Sequence, residues 1–122
     1  MADKIKDVKD LDVYQKAYKA SLEIHKLSLK FPKEEQFALA SQIRCSSKSI
    51  CANLAEGFGR QVHSKQDFKR YLGIAIGSAD ETQVWLDYCK DLSYLEADKH
   101  LSLSKEYKDV ARMLTGLYRN WG

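Results

Sequence analysis

The residue pattern predicts an all-α fold, an up-down-up-down antiparallel four-helix bundle. Three observations predict it. Apolar residues recur at steps of three and four along most of the chain, which is the period of a helix face. Proline, which breaks helices, occurs once in 122 residues. The breaks between periodic stretches are short, and short connections make consecutive helices antiparallel neighbours. The length fits a single domain over residues 1–122, large enough for a core without disulfide or metal staples.

Residues 1–10 read as a charged tail. The first helix is expected over about 12–30, with Asp10 or Asp12 as its cap. Val13, Tyr14, Ala17, Tyr18, Leu22, His25 and Leu29 give it a stripe. Phe31-Pro32 ends it, because a residue before proline is pushed out of the helical region. The second helix is expected over about 34–58, with Glu34 and Glu35 at its positive end. Ala40, Ile43, Ser47, Ile50, Leu54 and Phe58 form its core seam. Gly57 and Gly59 are expected to stop it, since glycine accepts the left-handed conformation of a C-cap.

Ser64-x-x-Asp67 resembles a capping box and opens a third helix over about 65–92. At 1.5 Å per residue such a helix is about 40 Å long. Phe68, Tyr71, Leu72, Ala75, Ala79, Thr82, Leu86 and Cys89 make its stripe. After Ser93-Tyr94 a fourth helix runs over about 96–120, with Leu103, Tyr107, Val110, Leu114, Leu117 and Trp121 inward. Two helices carry more than one stripe. Helix 3 adds Ile74, Ile76, Trp85 and Tyr88 beside Gly73 and Gly77. Helix 2 adds a row of small residues, Cys45, Ser49, Ala52 and Ala55. A lone bundle needs one apolar stripe per helix, so the extra width points to a homo-oligomer.

Several function classes find no support. No apolar run approaches the roughly 18 residues that span a bilayer, so no membrane partner is expected. The N-terminal segment has no apolar stretch of the signal-peptide kind. Cys45, Cys51 and Cys89 have no CxxC spacing and read as reduced thiols of a cytoplasmic protein. No Glu-x-x-His pair exists to hold metal, and His25, His63 and His100 fall in separate segments. Gly57-Phe58-Gly59-Arg60 follows a helix, whereas phosphate-cradling glycine loops follow a strand. No cofactor and no catalytic residue is therefore expected. Asn53 and Glu56, with Ser78 and Glu81, are expected to meet inside the bundle as a polar network that holds register. An acid–base pair of Glu56 and Glu81 is the weaker reading, because no nucleophile or metal set accompanies it.

Charge offers the best functional signal. The chain carries +3 overall. Residues 41–70 hold Arg44, Lys48, Arg60, Lys65, Lys69 and Arg70 against Glu56 and Asp67 only. Residues 71–122 lean acidic. Antiparallel packing of helices 2 and 3 should gather Arg60, His63 and Lys65 at one end. Such a cluster binds phosphates of RNA or DNA without reading sequence. Phe58 or Tyr71 could add base stacking, though both also fit the core.

The stretches LDVYQKAYKASLEIHKL, FPKEEQFALASQIRCSSKSICANLAEGFGR and FKRYLGIAIGSADETQ resemble the four-helix-bundle proteins encoded in intervening sequences of bacterial 23S ribosomal RNA genes. That family includes the accessory variability determinant of diversity-generating retroelements. The resemblance runs from about Leu11 to the C-terminus. Its most specific pieces are FPKEE, SQIR, SICANLAEG and Gly77-Ser78. Tyr14 stands where the family often has Trp, Cys45 where it is commonly basic, and Cys51 where proline is common. The resemblance implies a non-enzymatic bacterial bundle assembled as a homopentamer. In the retroelement branch it implies a basic ring that binds nucleic acid and a protein partner, a reverse transcriptase. A scaffold that recruits such a partner through the acidic C-terminal helix, without touching nucleic acid, is the alternative.

Overall fold

The computed structural model describes residues 5–121. Four helices form a bundle: α1 (Asp12–Ser28), α2 (Leu39–Arg60), α3 (Lys65–Asp91) and α4 (Ala97–Asn120). Single 3-10 turns precede α1 (Val8–Asp10) and α2 (Lys33–Glu35). Packing follows chain order, α1 on α2, α2 on α3 and α3 on α4, and α1 closes the square on α4. Among the described residues neither diagonal pair packs directly. This is the expected up-down-up-down arrangement.

Helix α3 starts where the sequence placed it. Ser64 is extended, and its Oγ accepts the Asp67 amide at 3.1 Å. Its core stripe is also as expected, from Phe68 through Leu72, Ala75, Ala79, Thr82 and Leu86 to Cys89. Leu103, Tyr107, Val110 and Leu114 of α4 close over it, with Leu117 and Trp121 packed at the margin.

Four local expectations are corrected. Asp10 does not cap α1, whose N-cap Leu11 makes no side-chain bond. Asp10 and Asp7 instead cap the preceding turn reciprocally, so part of the supposed tail is ordered against the bundle. The Lys6 and Asp7 amides donated to Asp10 hold its carboxyl below the usual range. Helix α2 starts at Leu39, not near residue 34. Gln36 Nε2 donates to the Ser28 and Phe31 carbonyls (2.9 and 3.0 Å), and Ala38 leaves helical space at φ −122°, ψ −106°. A side chain pinned back across the turn stops the helix from starting earlier.

Gly57 and Gly59 do not end α2, which continues through both to Arg60. Gly57 is needed for closeness instead. A Cβ there would lie 2.5 Å from Tyr71 Cβ and 3.0 Å from Phe68 Cδ1. The stripe of α1 is also rotated from expectation. Val13, Ala17, Ala20, Ser21, Ile24 and Ser28 face the core, while Tyr18, Leu22 and Leu29 are exposed. Small residues let α1 sit close to its neighbours, and the larger side chains one position on are turned outward.

Candidate nucleic-acid interface

Helices α2 and α3 share one antiparallel register, legible in their contacts. Thr82 Oγ1 donates to Ser46 Oγ at 2.9 Å, Ser49 Oγ meets Ser78 Oγ at 2.9 Å, and Gly57 lies against Tyr71. Each step along α2 is matched by a step back along α3. Of the four residues expected to form a polar network, this register joins two. Asn53 Nδ2 donates to the Ser49 carbonyl (2.8 Å) and Ser49 Oγ (2.9 Å), and Ser49 reaches Ser78. Glu56 instead pairs with Arg60 at 3.4 Å, and Glu81 accepts from Trp85 Nε1 at 3.0 Å, both on the surface. Glu81 lies opposite the Ser46 level and Glu56 opposite the Tyr71 level. They are therefore about 14 Å apart along the bundle axis, too far to share a substrate proton. Ser46, Ser49 and Thr82 carry the seam, and the sequence reading had not singled out Ser46.

The basic set divides into two groups. Arg44 belongs to the fold at the α1–α2 turn. Its Nη1 donates to Ser28 Oγ (2.7 Å) and Gln36 Oε1 (3.3 Å), and its Nη2 to the Gln36 carbonyl (2.9 Å). Lys48, one turn on, donates to His25 Nδ1 at 2.9 Å. Arg60 lies sixteen residues beyond Arg44, about 24 Å along the helix.

Arg60, Lys65, Lys69 and Arg70 gather where α2 ends and α3 begins. The half-buried ring of Tyr71 organises the group. The guanidinium of Arg60 lies 5.5 Å from its centroid and that of Arg70 lies 5.4 Å away. Both distances are within cation–π range. Gly57 leaves room for Tyr71 to seat against α2. The exposed Arg60–Glu56 pair is held loosely, because such pairs contribute little. Lys69 extends the patch to the last turn of α4, with its Nζ 5.6 Å from the Tyr118 centroid. Exposed Arg119 follows Tyr118. Sequence reasoning missed this α4 contribution; the only signal for it was that α4 must end beside the start of α3. Phe58, the other stacking candidate, is committed to packing, edge-on to Phe68 and Trp121.

The faces expected to carry assembly lie on the surface of the single chain. Ile74 and Tyr88 are exposed, and Trp85 sits 5.9 Å from Tyr88, ring to ring. A Cβ on Gly73 or Gly77 would meet nothing within 4 Å. Cys45 and Ala52 of α2 are exposed beside them, while Ile76 packs on the core.

Among the described residues the other polar cluster that resembles a relay centres on His100. Asp87 and Ser104 both meet the same nitrogen of His100, Nε2, at 2.8 and 3.4 Å. A relay needs its two partners on different ring nitrogens. Among the described residues no three of His, Cys, Asp and Glu converge to hold a metal. No described helix is long and apolar enough to cross a membrane.

The comparisons with known proteins agree with this architecture. A solved structure from Bacteroides thetaiotaomicron VPI-5482, a protein with unknown function from the S23 ribosomal protein family, superposes with a TM-score of 0.79. The two are 27% identical over 88% of this chain and 96% of that one. No curated protein matches. The family model described as 23S rRNA-intervening sequence protein matches residues 9–116, nearly the whole helical chain. That match spans most of the chain, and the fold agrees with it: the chain belongs to the 23S rRNA-intervening sequence protein family.

Proposed function

We propose that this protein is a non-enzymatic homo-oligomer that binds structured RNA by its phosphates, at the end of the bundle where α2 meets α3. The observation that carries the reading is the cluster around Tyr71, with Arg60 and Arg70 on its ring and Lys69 on Tyr118. Two guanidiniums held by one ring are oriented before a phosphate arrives, and arginine presents a planar fork that fits phosphate oxygens. The exposed α2–α3 face would join copies of the chain into a ring, a pentamer by family likeness, and repeat the patch around its axis. Repetition raises the local field and the rate of capture. Free cysteines, two of them buried, fit a cytoplasmic setting.

Fluorescence polarisation against a labelled RNA hairpin and a DNA duplex, titrated across salt, tests this. Wild-type affinity should fall steeply with salt, and Arg60→Ala with Arg70→Ala should weaken both ligands and flatten the slope by about two. Arg44→Ala should leave binding intact and cost roughly 2 kcal/mol of stability, through lost charged hydrogen bonds. Unchanged affinity in the Arg60/Arg70 double variant would remove the site. Exposed Tyr88 beside half-buried Trp85 favours a second reading, a protein scaffold, because such aromatics anchor protein contacts. A multimer that binds neither ligand at low salt would select it.

A further inference from the structure

The outer face of α1 carries a cleft of about 590 Å³, lined by Lys9, Tyr14, Gln15, Tyr18 and Lys19. None of these belongs to the basic end. Tyr14 and Tyr18 are four residues apart and share a helix face. Their rings stand 6.1 Å apart and only 13° from parallel, a stacked pair whose outer ring, Tyr18, is open to solvent. Tyr18 is 48% exposed, and the core of α1 is made by Val13, Ala17, Ala20 and Ile24. The fold therefore does not account for an aromatic ring at this place.

The rim is built rather than loose. Gln15 Nε2 donates to the Lys9 carbonyl at 2.8 Å, tying the 3-10 turn to α1. The Asp7–Asp10 reciprocal cap closes that turn. Among the described residues, Lys9 and Lys19 are the charged groups of the lining, with no carboxylate in that lining. Asp7, beside Tyr14, has its carboxylate on the Lys9 amide at 3.1 Å.

We propose that this cleft holds an unpaired nucleotide of single-stranded RNA, its base stacked on the exposed Tyr18 ring of the Tyr14–Tyr18 pair and its flanking phosphates on Lys9 and Lys19. The volume suits a ligand of that size. Every base has a π-face that stacks on an aromatic ring without regard to sequence, and the lysines complement the backbone. A duplex stem keeps its base faces covered, so the cleft selects unpaired segments. This rests on the reading that the protein binds RNA, and adds that loops or tails of a structured RNA are held at a second place.

The test is fluorescence polarisation of the intact protein with a labelled ten-nucleotide oligouridine and, separately, a blunt RNA duplex. Tyr18→Ala should weaken the oligouridine about tenfold and leave the duplex unchanged, while Tyr18→Phe should bind both as wild type does. Lys19→Ala should lower the salt slope for the oligouridine by about one. Unaltered oligouridine binding in Tyr18→Ala overturns the cleft and leaves the basic end standing. Failure of wild type to bind either RNA overturns both readings. A change of subunit number in Tyr18→Ala, read by light scattering, would make the cleft a contact between copies and overturn the proposal as well.

Discussion

At the scale of single residues, burial decides which chemistry is available. Cys51 lies on α2, with its thiol directed at the Tyr14 carbonyl, and Cys89 lies in the α3 core. Burial pushes the Cys51 thiol from 9.0 to about 11, and burial, then Glu35, pushes Cys89 to about 12. Burial likewise raises the Tyr107 hydroxyl in the core. Both thiols are neutral at pH 7, so neither is a nucleophile in the folded chain. The linkage has a definite sign. Above about pH 9 the unfolded thiols lose their protons while the folded ones keep theirs. The unfolded state then binds fewer protons, so stability falls as pH rises. Melting temperature should drop from about pH 9 towards pH 11, and Cys89→Ala should make that drop shallower. An equal slope in the variant would exclude the thiol from it. Cys45, exposed on the single chain, should take a thiol reagent faster when assembly through the α2–α3 face is blocked, with Cys51 and Cys89 reacting only on unfolding.

Among the elements, the α2–α3 pair sets the geometry on which the basic end depends. Hydroxyl pairs at Ser46–Thr82 and Ser49–Ser78 fix the register, and Gly57 fixes the closeness. Gly57→Ala should destabilise the fold by about 1–3 kcal/mol in urea unfolding, because Tyr71 Cβ sits on the chain's own framework and cannot swing away. It should also weaken RNA binding by displacing Tyr71. Gly59 is the internal control, since a Cβ there meets nothing within 4 Å. Gly59→Ala should be neutral or stabilising by up to about 1 kcal/mol through helix propensity. Equal effects at the two glycines would mean that close approach is not what Gly57 provides. At the opposite end, Tyr94 donates to Glu35 at 2.8 Å and packs at a tilt against Phe31, linking the α3–α4 turn to the α1–α2 turn.

For the whole molecule, the cations and the widest exposed apolar surface concentrate in different places. Cations collect at the α2–α3 turn and along the outside of α1, while the outer face of α2 and α3 presents Ile74, Gly77 and Tyr88 around the Glu81–Trp85 pair, with Cys45 and Ala52 also exposed. The proposed assembly through the second would leave the first open to ligand. Ile74→Glu places a carboxylate at an exposed position, so the single chain should tolerate it. Light scattering should then show the multimer reduced to single chains with helicity retained in far-UV circular dichroism. An unchanged mass would move the interface elsewhere on the bundle.

The number of helices, the start of α3 and the inward faces of α2, α3 and α4 were legible in the sequence. They follow from local causes: periodicity, a serine cap, and the placement of one proline. The rotation of α1 was not legible, because four of its six buried residues, Ala17, Ala20, Ser21 and Ser28, are small and their merit is closeness to a neighbour. Arg44 reads as a surface cation until Gln36 folds back to meet it. Glu56 and Glu81 share a spacing pattern with Asn53 and Ser78, yet the register sets them at different levels of the bundle. Tyr118 and Arg119 join the basic end only because α4 finishes beside Lys69. Each of these depends on how helices are rotated and slid against one another. That is decided by side chains distant in sequence, through packing that no single segment contains.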